Sequence, residues 1–175
     1  MDLQPYDLAP RQIPGLALAL GADCDGGSDA PLPKNFMIAT EIRAGAANWC
    51  NTMKTDLINL GLGQIDQTFN NAVTKTANQL HGKKGVAMSL LFALTPQGRA
   101  VIKAATAADA ILVNGCAQAV TALATKGAQG CTKDLNWYDA KHAKGQTSTG
   151  VRSGGIDVSY GADEFGYMSI EFMKP

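Results

Sequence analysis

The chain has 175 residues, with 15 Lys and Arg against 15 Asp and Glu, so its formal charge at pH 7 is zero. That balance offers no long-range attraction to nucleic acid or acidic lipid, and nucleic acid is not an expected partner. With 46% hydrophobic and 17% charged residues the chain is not of the disordered class, and its length suits one domain that hides roughly 70% of its unfolded surface.

Residues 1–14 carry Pro5, Pro10 and Pro14 without an apolar period and are expected to form an extended arm, leaving 15–175 as a single domain. No signal peptide is visible: Ile13 to Leu20 is apolar but short and lacks a basic flank. Pro10-Arg11 has the look of a pro-segment end. Leu16, Leu18 and Leu20 alternate with alanine, which predicts a buried strand running on to Cys24. Asp25-Gly26-Gly27-Ser28-Asp29 ends it in a turn, and Pro31 and Pro33 mark a loop. Phe36 to Ile42 reads either as a short strand or as the approach to a helix.

From Ala46 the residues Trp49, Met53, Leu57 and Leu60 fall at helical spacing, and Ile65, Phe69, Val73, Thr76 and Leu80 continue the stripe. Gly61 and Gly63 between the runs predict a kink, because glycine costs about 1 kcal/mol inside a helix. Lys83-Lys84 then occupies a turn. Val86 to Leu94 is a continuous apolar run and reads as a central strand. Thr95-Pro96 is a helix start, and an alanine-rich helix follows to Lys126-Gly127. Asp109, Asn114 and Gln118 argue against that helix crossing a membrane. Leu135 to Ala143 is expected as a short helix and 145–155 as a polar loop. Ile156, Val158 and Tyr160, then Met168, Ile170 and Phe172, alternate on either side of a turn in Gly161–Gly166 and predict a hairpin.

The cysteines are Cys24, Cys50, Cys116 and Cys131. An even number without C-x-x-C spacing favours two disulfides, with three pairings open, over a zinc site. The lipase, zincin, Walker and dinucleotide motifs are missing, so neither catalysis nor a cofactor nor a metal is expected. Asp139 and His142 near Cys131 have the ingredients of a base and a thiol nucleophile, but an exposed polar face and a disulfide cysteine explain them more simply. Asp23, Asp25 and Asp29 hint at a calcium loop yet lack its downstream glutamate, so solvated turn residues are preferred. Two basic clusters stand out as candidate contacts: Lys83 and Lys84, suited to an acidic channel mouth or lipid headgroup, and Trp137 with Lys141. Lys83-Lys84 is also a dibasic cleavage signal.

Leu20-Gly21-Ala22-Asp23-Cys24-Asp25-Gly26-Gly27-Ser28, Leu112-Val113-Asn114-Gly115-Cys116 and Gly154-Gly155-Ile156-Asp157-Val158-Ser159-Tyr160 resemble the opening strand, second helix and final strand of the KP4-type fungal killer toxins. The resemblance is carried by short stretches and covers about 40 residues. It implies a secreted toxin-like or effector-like protein in which two antiparallel helices lie on one antiparallel sheet. It further implies that surface basic residues, here Lys83 and Lys84, perturb ion channels or membranes of a target cell. The expected fold is therefore α+β: an antiparallel sheet covered on one face by two main helices, with a C-terminal β-hairpin. The expected partner is a protein or membrane component of a target-cell surface, with self-association possible for so neutral a chain. A viral shell or tail component and a small hydrolase are the alternatives. Free thiols with an apolar patch would favour the first of these, and a deep pocket holding His81 or His142 the second.

Overall fold

A computed structural model of the chain describes residues 16–18, 21–26, 36–59, 72–77, 86–127, 129–139 and 142–173. Its elements run β1 (Leu16–Leu18), β2 (Asp23–Cys24), β3 (Met37–Ile38), α1 (Ala39–Asn59), β4 (Ala72–Ala77), β5 (Val86–Leu94), α2 (Pro96–Ala104), α3 (Ala108–Leu123), β6 (Thr132–Asp139), β7 (Lys144–Val151), β8 (Gly154–Tyr160) and β9 (Asp163–Met173). The larger sheet has the order β1-β8-β9-β5-β4, with β2 also on β8, and a smaller one has the order β3-β7-β6. All the pairings are antiparallel.

Period-two alternation sets the larger sheet. Ile156 of β8 lies opposite Met168 of β9, which lies opposite Phe92 of β5. These three are buried, while Asp157 is exposed and its partner Tyr167 half-buried on the other face. Only one face is therefore apolar, as expected for an antiparallel sheet with one solvated side. The β8–β9 turn tightens to Gly161-Ala162, and Gly161 has φ +61°. A positive φ at the first central residue suits a hairpin turn that follows the strand twist, and glycine adopts it without a Cβ clash.

The helices cover the apolar face. Thr95 accepts a hydrogen bond from the Gly98 amide at 2.9 Å and starts α2, which packs on β9. α3 packs on β8 and β9 and also against α1. The α1 stripe is Ile42, Ala46, Cys50 and Met53, all buried; the facing stripe of α3 includes Leu112, Cys116, Ala119, Val120 and Leu123. Small residues on both helices let their backbones approach. Lys54 and Asp109, 3.6 Å apart, join α1 to the first turn of α3, where a carboxylate also favours the helix dipole.

The predicted α+β class, the hairpin and the interior position of Val86–Leu94 are present. Several local expectations are not. The expected short helix at 135–143 is strand β6, and the expected polar loop at 145–155 is strand β7 and the start of β8. Each supplies what the other needs: Thr147, Thr149 and Val151 pair opposite Asn136, Asp134 and Thr132, and β-branched residues fit a pleated surface better than a helix. Val73 and Thr76, expected on a helix, lie in β4, in register with Leu90 and Ala87 of β5. The long helix from Pro96 breaks at 105–107. Alanine favours helix on both sides, so packing sets the break: α2 must lie along β9 while α3 crosses to α1. Phe36–Ile42 contains both of its readings, strand β3 and then the start of α1. The single expected sheet is joined by the second, three-stranded one. The arm 1–14, Gly61, Gly63, Ile65, Phe69, Leu80 and the 31–33 loop lie outside the described residues.

Candidate functional site

The four cysteines form two bridges, Cys24–Cys131 and Cys50–Cys116, and none is free. One is nested in the other: the inner bridge spans 66 residues and the outer 107. Cys50–Cys116 lies in the core, where α1 meets α3, with both cysteines at most 1% exposed. Cys131 is equally buried, but Cys24 is only partly so. Around the outer bridge the backbone is tightly held. The Cys131 amide donates to Leu123 O at 2.8 Å, its carbonyl accepts from the Arg152 amide at 3.0 Å, and the Asp25 amide donates to Ser153 O at 3.0 Å. Gly154 of β8 sits beneath: a Cβ there would come within 2.5 Å of Cys131 Sγ.

A polar cleft of about 390 Å³ opens where β3 leads into α1, bounded by the α3–β6 connection and by β7. It is lined by Thr40, Arg43, Lys126, Asp134, Thr147 and Thr149, among others. Arg43 donates to Ala124 O at 2.5 Å, so α1 caps the carbonyl end of α3. Lys126 Nζ lies 2.7 Å from one Asp134 oxygen, and the Thr149 hydroxyl donates to the same oxygen at 3.2 Å. Hydrogen bonding from Lys126 is the main reason the Asp134 carboxyl titrates below its ordinary value, with Thr149 and the Lys126 charge acting in the same direction. Such a group adds stability above its unfolded pKa and loses it as pH falls through the lower, folded value. An NMR titration of Asp134 should therefore give a midpoint below 3.8, returning toward the ordinary value in Lys126→Ala. Because both side chains are exposed, the effect on stability should be small.

On the open face of the larger sheet Tyr167 lies across Gly155, where a Cβ would overlap the phenol oxygen. Burial raises the Tyr167 pKa first, and the charges of Asp23, Asp157 and Asp25 raise it further. The folded chain keeps this proton at a pH where the unfolded chain releases it. The associated stability is whole below the unfolded value near 10 and declines as pH climbs from there through the folded value. Denaturation midpoints between about pH 9.5 and 11 should fall less steeply in Tyr167→Phe than in the parent protein.

Of the expected contact residues, only Trp137 falls among the described ones. Lys83 and Lys84, in the connection between β4 and β5, lie outside the described residues, as do Lys141, His81 and Asp29. Trp137 belongs to β6. Cys131 is bonded to Cys24, in line with its expected role as a disulfide cysteine. His142 is exposed in the β6–β7 connection and does not line the cleft. No group of three His, Cys, Asp or Glu is placed to hold a metal among the described residues, and none of their helices is long and apolar enough to cross a membrane. Sequence reading missed Arg43, Lys126, Asp134 and Tyr167. The Lys126-Gly127 stop signal was the one clue that a cation sits at the end of α3.

These features define an α+β chain with nested disulfides, a class of covalent design that fits an extracellular or secreted protein. No family model matches the chain, and no curated protein or solved structure is significantly similar to it.

Proposed function

We propose that this is a secreted protein that acts, without catalysis, on a protein or membrane component at the surface of another cell, in the manner of a killer toxin or effector. The observation that carries the reading is the pairing of all four cysteines in two nested bridges. Such bridges persist in oxidising compartments and are rare where glutathione keeps thiols reduced. The same pairing weighs against the self-assembling alternative, which called for free thiols. The stretches that resemble the killer toxins are also neighbours in space: Cys24 of β2 pairs with Gly154 of β8, and α3, which holds Cys116, packs on β8. Lys83, Lys84, Trp137 and Lys141 are the residues proposed to meet the target.

The test has two parts. Intact mass with and without reductant should differ by four hydrogens in protein collected from a secreting host. The purified protein should then bind and inhibit a sensitive strain within a panel of fungal cells. Lys83→Ala with Lys84→Ala should weaken that activity at least about tenfold, as expected for loss of two contact cations, while leaving both bridges intact. Reactive thiols in the native protein would overturn the secreted reading. Intact bridges without binding to any cell of the panel would overturn the target-cell reading alone.

A further inference from the structure

We infer that Cys24–Cys131 is a reductively addressable latch, whose opening frees β1 and β2 from the edge of β8 while Cys50–Cys116 keeps the helical core closed.

The two bridges differ in what must move before a thiol can reach them. Cys50 and Cys116 are buried on two long helices, 21 and 16 residues, that face each other in the core. Reaching that bond requires the α1–α3 interface to separate. Cys24 is partly exposed and belongs to a strand of two residues. Its Sγ sits 3.6 Å from Gly130 O, in the connection that follows α3. Openings of short edge elements need far less free energy than opening a core. The same bond is the covalent tie on its strand. β1 and β2 offer five residues of pairing to β8, well short of what stands alone as a sheet element. Beyond the bridge, β2 and its turn are tied to β8 by the β2–β8 pairing and by the Asp25 amide on Ser153 O.

The exchange balances with a small thiol such as glutathione as reductant. Its thiolate attacks Sγ of Cys24, the more exposed of the two residues. The disulfide breaks, and its electron pair leaves on Cys131 Sγ, which takes a proton from water. A second thiolate attacks the reductant's sulfur in the mixed disulfide, releasing Cys24 as a thiol after protonation. Two reductant thiols end as one disulfide and one protein disulfide ends as two thiols. The product exposes a new edge along Gly154–Tyr160, since β9 then remains as the only described neighbour of β8.

The native chain would be incubated with glutathione over a graded range, alkylated and mapped by mass spectrometry. The expected result is a species labelled at Cys24 and Cys131 only, at a reductant concentration at least about tenfold below that which labels Cys50 and Cys116. Amide exchange in that species should rise along β8 and stay slow in α1 and α3. The Cys24→Ser, Cys131→Ser double variant should show the same exchange pattern without reductant. Labelling of all four cysteines together, labelling of the inner pair first, or unchanged exchange along β8 would each overturn the inference. If the double variant does not fold, the graded reduction of the native chain decides alone.

Discussion

Replacing Cys50 and Cys116 together by alanine is expected to lower stability by about 5 kcal/mol, the largest loss of any paired substitution considered, seen as a shifted midpoint in urea denaturation. Loop closure does not rank the two bridges. Its logarithmic form separates loops of 66 and 107 residues by only ~0.4 kcal/mol, on a total of ~4.5 kcal/mol for either bond. Burial ranks them. The inner pair fills space between Ile42, Ala46 and Met53 on one side and Leu112, Ala119 and Val120 on the other. Truncating both sulfurs there adds the cost of a cavity on both sides of the seam, whereas at the outer bridge only Cys131 is fully buried and the gap beside the partly exposed Cys24 is open to water. Removing Cys24 and Cys131 should therefore cost less than removing the inner pair. A larger midpoint shift for the outer pair would show that the α1–α3 seam is not the part of the core on which the rest depends.

The second large effect is expected from one methyl group. Gly98→Ala should destabilise the fold by about 3 kcal/mol, or roughly 6–12 °C in Tm for a chain of this size. The first turn of α2 lies directly on β9. A Cβ on Gly98 would overlap the Phe165 carbonyl oxygen, and a backbone atom cannot swing aside as a flexible side chain can. That oxygen is already engaged: the Thr95 amide donates to it at 3.1 Å, while the Thr95 hydroxyl donates to Glu164 O. Phe165 is itself pinned. It is the extra residue where the β8–β9 register shifts, its side chain is buried, and its ring stands 6.1 Å from Phe92 and 6.3 Å from Tyr160. Relief would require α2 to lift off the sheet or the bulge to move. Gly145→Ala is the control, because nothing lies within 4 Å of a Cβ there, and it should change stability by less than about 0.5 kcal/mol. Because Gly→Ala in a helix is otherwise stabilising through the unfolded chain, a Gly98→Ala variant no less stable than Gly145→Ala would mean that the contact with β9 does not govern position 98.

The parts of the fold that could be read from the chain are those whose pattern is carried locally. Thr95-Pro96 announces α2 because the capping hydroxyl lies within three residues of the amide that donates to it. Ile156, Val158, Met168 and Ile170 announce the hairpin because alternation alone sorts its faces. What stayed hidden depends on residues far apart in sequence. The stretch 144–151 is rich in glycine, serine and threonine, and becomes a strand because it lies between β3 and β6. Trp137 and Leu135 fit a helix period or a strand period over so short a run, and only the partner strand decides. The pairing of the cysteines is of the same kind: spacing permits three solutions, and the packing of α1 on α3 selects one. The cleft was illegible for this reason too, since Arg43, Lys126 and Asp134 come from three different elements. Tyr167 gave no sequence signal, because nothing in the chain places Asp23 and Asp25 beside a strand about 140 residues later.

The strand order has a consequence for how the chain reaches its native state. β9 lies at the middle of the larger sheet, with β8 and β1 on one side and β5 and β4 on the other. A ribosome makes β1, β4 and β5 long before the strand that joins them, so this layer cannot assemble until residues 154–173 have emerged. The average contact is correspondingly long-range, which slows folding. Until then β5 presents nine mostly apolar residues without its β9 partner, a state that invites association with other nascent chains.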